Sequence, residues 1–148
     1  MKYKTEISAG GIVFKKLITK NNELRTEWLI TQHSQNKSWG FPKGLIGDHI
    51  EEESKENTAL REVKEETGVD AKIVRPLTPV TYWLKLENEK IKKTVYYFLM
   101  EYTGGDITKH DHEMENVQFL PVDQVEKRLT YKSDKKVWEQ AKKLLVNS

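Results

Sequence analysis

The chain is predicted to fold as an α/β/α sandwich, a mixed β-sheet with helices on both faces. Three observations predict this. A well-marked helix occupies the middle of the chain, strand-like segments lie on both sides of it, and two helical patterns close the sequence. With 148 residues the chain is expected to be a single domain, 1–148, large enough to bury a real core.

Taken in order, Ile7 to Phe14 reads as the first strand, and Gly10-Gly11 within it marks a bulge or a close backbone approach. Glu27 to His33 is the next strand, with Trp28, Leu29 and Ile30 at its centre. A polar loop follows, then Trp39-Gly40-Phe41-Pro42-Lys43-Gly44, where proline and glycine should break regular structure. Glu53 to Thr67 is the central helix, and Gly68 sits where a helix-ending glycine belongs. Ile73–Val74, Pro79–Leu86, Thr94–Thr103 and Val117–Leu120 read as further strands. Glu87 to Lys90 makes a plausible hairpin turn between the second and third of these. Asp123 with Glu126 three residues on resembles a capping box, and Val137, Ala141, Leu144 and Leu145 recur at helical spacing.

Composition narrows the function. Charged residues make up 32% of the chain, but 25 basic and 23 acidic residues leave a net charge of only +2. A duplex-binding protein normally carries a strong basic excess, so no duplex nucleic acid is expected as a partner. Cysteine is absent, which removes disulfides, thiolate nucleophiles and cysteine-based zinc sites together. Met1 to Ile7 lacks the apolar centre of a signal peptide, and no apolar run approaches the roughly 20 residues that span a bilayer. A cytoplasmic protein without a membrane partner is the expectation. It is expected to work as a monomer or a homodimer.

Within the central helix Glu62, Glu65 and Glu66 stand at i, i+3 and i+4 and so share one face, with Leu60 and Val63 turned the other way. Like charges on one turn repel, and a divalent cation relieves that repulsion. Hard cations such as Mg²⁺ take oxygen ligands while keeping waters and substrate phosphates in their shell. A bare acidic triplet is usually just a solvated face. The surrounding pattern overturns that reading. Gly47-x5-Glu53-x7-Arg61-Glu62-Val63-x-Glu65-Glu66-x-Gly68-Val69 resembles the Nudix box at every fixed position, an agreement expected by chance about once in 10⁸ start sites at average composition and about tenfold more often in a Glu-rich chain such as this.

The resemblance extends over most of the chain. Trp39 to Gly44 resembles the segment leading into the box in the diadenosine tetraphosphate hydrolase branch of the Nudix superfamily, and Lys93 to Leu99 resembles that branch's strand across the site. It implies a Nudix-like α/β/α sandwich with the catalytic helix packed on the sheet. It also implies a hydrolase cleaving a phosphoanhydride bond in a small nucleotide substrate, with Mg²⁺ (or Mn²⁺) as cofactor. By the same resemblance Glu62, Glu65 and Glu66 are metal ligands, and Arg61 fixes the helix through Glu53. Glu113, six residues before Phe119, matches a downstream glutamate that ligates metal or serves as general base. Two departures stand out. Leu45-Ile46-Gly47 adds three residues, so Gly44 matches the lead-in while Gly47 matches the spacing; Gly44 is favoured as the carbonyl ligand. Met114 and Phe119 replace the branch's histidine and tryptophan.

Chemically, bound cations neutralise the phosphates and lower the pKa of a coordinated water, and positive side chains stabilise developing charge. Lys43 and Lys93 are the candidates for that role, set against ordinary solvated lysines. Glu113 and Glu62 compete as the base that takes the water's proton, a choice that geometry decides. Tyr82, Trp83, Tyr96 and Tyr131 are candidates to stack on a base, although strand aromatics are more often packing. His110-Asp111-His112-Glu113 offers a weaker alternative as a transition-metal loop; His33 and His49 carry no readable signal. The favoured substrate is a dinucleoside tetraphosphate such as Ap4A. The alternatives are pyrophosphate release from nucleoside triphosphates or RNA 5′ ends, and a non-catalytic nucleotide sensor.

Overall fold

The first strand, β1, runs Lys2–Ile18, much further than Ile7–Phe14. Its added half alternates Tyr3, Thr5 and Ile7 with Lys2, Lys4 and Glu6, and charge on one face hid that period of two. The structure is a computed structural model that describes residues 2–47 and 52–146. After β1 come β2 (Leu24–His33), β3 (Trp39–Gly40), β4 (Lys43–Leu45) and helix α1 (Lys55–Thr67). The second half holds β5 (Val69–Pro76), β6 (Val80–Lys85), β7 (Glu89–Gly105), a single 3₁₀ turn (Ile107–Lys109), β8 (Met114–Leu120), α2 (Val122–Arg128) and α3 (Lys132–Val146).

These strands form one mixed sheet. β7 lies parallel to β1 and antiparallel to both β5 and β6; β1 is antiparallel to β2 and β4, and β2 to β3 and β8. Helices cover both faces, as expected. On one face Ile12, Phe14, Trp28 and Leu99 pack against Val125, Val137, Trp138 and Ala141 of α2 and α3. On the other, Ala9, Val13, Leu29, Phe98 and Met100 pack against Ala59 and Val63 of α1.

Several local expectations are corrected. The Gly10-Gly11 pair carries no bulge in the β1–β7 register; it is a close approach. A Cβ on Gly11 would stand 2.6 Å from Met100 Sδ and 2.8 Å from Val63 Cγ2, so the missing side chain lets α1 dock tightly. Helix α1 begins at Lys55, because the Ser54 side chain accepts the Asn57 N–H and caps it there. It ends at Gly68 in the left-handed region, φ +79°, with the Gly68 N–H on the Lys64 carbonyl. Within α1 the core positions are Ala59 and Val63; Leu60 is only half-buried. Asp123 and Glu126 form no capping box, since α2 starts after Pro121 without a side-chain cap. Glu126 instead takes hydrogen bonds from Lys142 and Trp138 of α3. The Trp39–Leu45 stretch is not free of regular structure: short strands stand on both sides of Phe41-Pro42.

Candidate active site

The site forms where β1 changes partners. Ser8 to Gly10 pair with β4, Phe14 to Ile18 pair with β2, and between them the Gly11 N–H donates to the Pro42 carbonyl at 3.1 Å. A Cβ on Gly10 would stand 2.2 Å from that carbonyl oxygen. Glycine is therefore what admits the backbone of the Pro42 turn. Strand alternation then sorts the side chains. Gly44, Ala9 and Tyr96 share one rung and face α1, whereas Lys43, Gly10 and Tyr97 share the next and face α3.

The glutamates of α1 do not form a uniform acidic face. Glu62 and Glu66 are buried, at 8% and 6% exposure, while Glu65 turns toward solvent. The two buried residues flank β4. A Cβ at Gly44 would lie 2.1 Å from Glu62 Cδ, so this carboxylate rests directly on the Gly44 backbone. Glu66 Oε2 accepts the Lys43 N–H at 2.8 Å. Gly47, by contrast, has φ +79°, and among the described residues nothing lies within 4 Å of a built Cβ.

Arg61 ties the carboxylates together. Its Nε and Nη2 donate to the two oxygens of Glu53 at 2.9 and 2.8 Å, and its Nη1 donates to Glu62 at 2.9 Å and Glu65 at 3.1 Å. Thr58 donates to Glu53 as well, at 2.7 Å. The bond to Glu53 raises the guanidinium's pKa despite partial burial. Glu66 is pushed well above the usual carboxylate range, first by burial and next by the charge of Glu62. Asp111 and Glu113 push the same way, while the Lys43 N–H opposes them. The loop before β8 thus brings further acid toward α1.

A divalent metal is tested against these residues by their chemistry. The donors are carboxylate oxygens beside a backbone strand, with no sulfur, which suits a hard cation. Burial first, and then the charge of Glu62, raises the pKa of Glu66, and a bound cation would relieve both. Among the described residues no three His, Asp or Glu side chains converge as a ready-made ligand set. Arg61 supplies the counter-charge to Glu62 and Glu65 instead.

Beside these carboxylates lies a cavity of about 250 Å³ lined by Lys43, Glu66, Glu113, Trp39, Tyr131 and Asp134. It shares Lys43 and Tyr131 with a larger one of about 610 Å³ that includes Tyr82, Trp83 and Lys93. Lys43 Nζ reaches the Tyr82 hydroxyl at 3.4 Å. Lys93 sits opposite Tyr82 in register and pairs with Glu6 at 3.5 Å. So Lys43, Lys93, Tyr82 and Tyr131 come together. Tyr96 does not: it faces α1, with Lys55 Nζ 4.3 Å from its ring centre. Glu113 reaches the cleft while its main chain is held by Asp111 and Ser34. In the transition-metal loop His110 Nδ1 lies against the Asp111 carbonyl. His33 lines the cleft, and His49 falls outside the described residues.

Sequence reasoning missed Asp134. It is 4% exposed, accepts the hydroxyl of the fully buried Tyr97 at 3.2 Å, and fits because Gly40 has no side chain. Burial raises its pKa, and Lys43 pulls it back down. Nothing in its local sequence marks it, since Lys132 to Lys136 otherwise reads as a polar helix start.

Fold and glutamate helix together agree with the NUDIX domain. The NUDIX domain family model matches residues 17–141, and the chain belongs to that family. Its members generally use divalent metal ions and bind small nucleotide substrates. The chain is 33% identical over 143 residues to a Mycobacterium tuberculosis protein named as a mutator protein, MutT4, covering 95% of this chain and 56% of that one. It is 31% identical over 134 residues to the 8-oxo-(d)GTP phosphatase of Mycolicibacterium smegmatis, covering 88% of this chain and 39% of that enzyme. The chain thus spans about half or less of these two relatives. With the asymmetrical bis(5′-nucleosyl)-tetraphosphatase of Sus scrofa it shares 30% identity, covering 95% of each. The fold matches a C. elegans Ap4A hydrolase crystallised as a binary complex, with TM-score 0.73 and 21% identity over 97% of this chain and 99% of that one. The NUDIX domain of Shewanella oneidensis NrtR, crystallised with ADP ribose, gives 0.71 and 22% over 95% and 88%. Among the described residues no helix is long and apolar enough to cross a membrane.

Proposed function

We propose that this protein hydrolyses a phosphoanhydride bond of a nucleoside polyphosphate with Mg²⁺, and that a dinucleoside tetraphosphate is its favoured substrate. The observation that carries the reading is the buried pair Glu62 and Glu66, held against β4 beside Lys43. Burying two carboxylates side by side destabilises a fold unless a cation or a functional need compensates. Glu62, Glu66 and the Gly44 carbonyl would hold the metal, with Glu65 and Glu113 at its margin. Bound there, the metal supplies charge neutralisation and an acidified water.

The chain's own residues supply the rest. Arg61 and Glu53 lock the helix face so that Glu62 stays on β4. Lys43 places positive charge where phosphoryl oxygens develop negative charge. Glu113, on a loop at the cleft wall, is free of the Arg61 network that engages Glu62, which favours Glu113 as the base that takes the water's proton. Tyr82 and Tyr131 offer aromatic faces to a base in the cavity beyond Lys43.

Resemblance to the tetraphosphatase over nearly the whole of both chains supports the dinucleotide substrate. The 8-oxo-(d)GTP phosphatase supports a second reading, pyrophosphate release from nucleoside triphosphates. Incubation of Ap4A and a panel of triphosphates with Mg²⁺, followed by product chromatography, distinguishes them. ATP and AMP from Ap4A are the expected products. Pyrophosphate from triphosphates with Ap4A left whole would reverse the assignment.

A further inference from the structure

A second cavity, about 670 Å³, opens on the α1 side of the sheet, away from Tyr82 and Tyr131. It is lined by Ile7, Leu45, Ile46, Gly47, Lys55 and Tyr96. Its position relative to the glutamates is fixed by two independent registers. Tyr96 stands on the rung of Ala9 and Gly44, the strand residue on which the Glu62 carboxylate rests. Lys55 precedes Glu62 by seven residues and Glu66 by eleven, so all three lie on one stripe of α1. The cavity is therefore the continuation of the carboxylate site along the helix, roughly 10 Å from Glu62 toward the helix start.

Its charge is arranged for an anion. Among the described residues no carboxylate pairs with Lys55, whose ammonium is held over the Tyr96 ring instead. Glu6, the acid lining this cavity, is engaged by Lys93 at 3.5 Å and Lys4 at 3.7 Å. Among the described residues that leaves Lys55 as the lining charge without an acidic partner, fixed in direction by an aromatic face, with apolar Ile7 and Ile46 beside it. A cation next to apolar wall suits a nucleoside phosphate.

We infer that this cavity is a second nucleotide subsite, in which Lys55 binds the phosphate of the far nucleoside of a dinucleoside polyphosphate. The inference rests on the dinucleotide reading above. One nucleoside lies in the Tyr82–Tyr131 cavity, the scissile phosphates lie against Glu62 and Glu66, and the second nucleoside phosphate extends along α1 to Lys55. A nucleoside triphosphate fills only the first arm, so Lys55 distinguishes two-ended from one-ended substrates.

The test is steady-state kinetics of wild type, Lys55→Ala and Lys55→Arg on Ap4A and on a nucleoside triphosphate. Loss of one charge-assisted phosphate contact should raise KM for Ap4A by about tenfold. The expected pattern is that rise in K55A with kcat kept, its recovery in K55R, and an unchanged KM for the triphosphate. Lys55 is exposed at the helix start, where alanine is well tolerated, so the fold is kept. An unchanged KM for Ap4A, or an equal rise on both substrates, overturns the subsite while leaving the dinucleotide reading intact. Wild-type protein that does not cleave Ap4A overturns the dinucleotide reading itself, and the subsite with it.

Discussion

The contact between Arg61 and Glu53 allows a quantitative prediction. Both side chains are shielded, at 16% and 5% exposure, and two hydrogen bonds join them. Replacing Arg61 by methionine removes the guanidinium that Glu53 and Glu62 share, and replacing Glu53 by leucine removes the partner of two of its hydrogen bonds. Breaking one side of a buried pair costs about 3–5 kcal/mol. Residual access of water to Arg61 argues for the lower end. At about 2–4 °C per kcal/mol for a chain of this size, each single variant should melt roughly 6–12 °C below wild type. R61M should lose more than E53L, because Arg61 also serves Glu62 and Glu65. The double variant removes both charges, so its loss should fall short of the sum by about 2–3 kcal/mol. Urea unfolding of the four proteins at pH 7 gives this coupling directly. A coupling below about 0.5 kcal/mol, the value of a solvated surface pair, would refute the claim that this network fixes the helix.

Other predictions follow from the same geometry. Gly44→Ala should abolish most activity, because its Cβ would collide with the Glu62 carboxylate. Gly47→Ala meets no atom of the described residues and should cost only about 1–2 kcal/mol of left-handed backbone strain, with turnover kept; equal inactivation of both would contradict the placement of Glu62 on Gly44. Asp134 has its pKa raised by burial, so its charged form disfavours folding, and that penalty develops as pH rises above the unfolded value of 3.8. Asp134→Asn is neutral throughout. Its melting temperature relative to wild type should therefore increase from pH 3.5 to pH 7, and a relative decrease over that range would be inconsistent with a buried charge.

Much of this arrangement was legible because the box couples spacing to chemistry. The resemblance implied the Arg61–Glu53 contact and the carboxylates of the shared helix face, and Gly68 stood where a helix-ending glycine belongs, so these could be read from the chain alone. Burial could not. Glu62 and Glu66 lie beneath β4 while Glu65 faces water, and that depends on Gly44 and Lys43 arriving from another element. Strand ends were lost where alternation was carried by charges, as at Lys2 to Glu6. Asp134 and Lys55 were invisible for the same reason as each other. Their significance comes from Tyr97 and Tyr96, adjacent residues of β7 that face opposite sides of the sheet.

The central claim is that the buried carboxylates of α1 act through a divalent metal. Its most direct test is Ap4A turnover against Mg²⁺ concentration for wild type and Glu66→Gln, with folding of both checked by circular dichroism. Metal-dependent turnover by wild type is predicted, together with a loss of more than about 100-fold in E66Q, beyond what removing an outer partner of a metal costs. Full activity of E66Q, or wild-type turnover unaffected by chelation, would contradict the account.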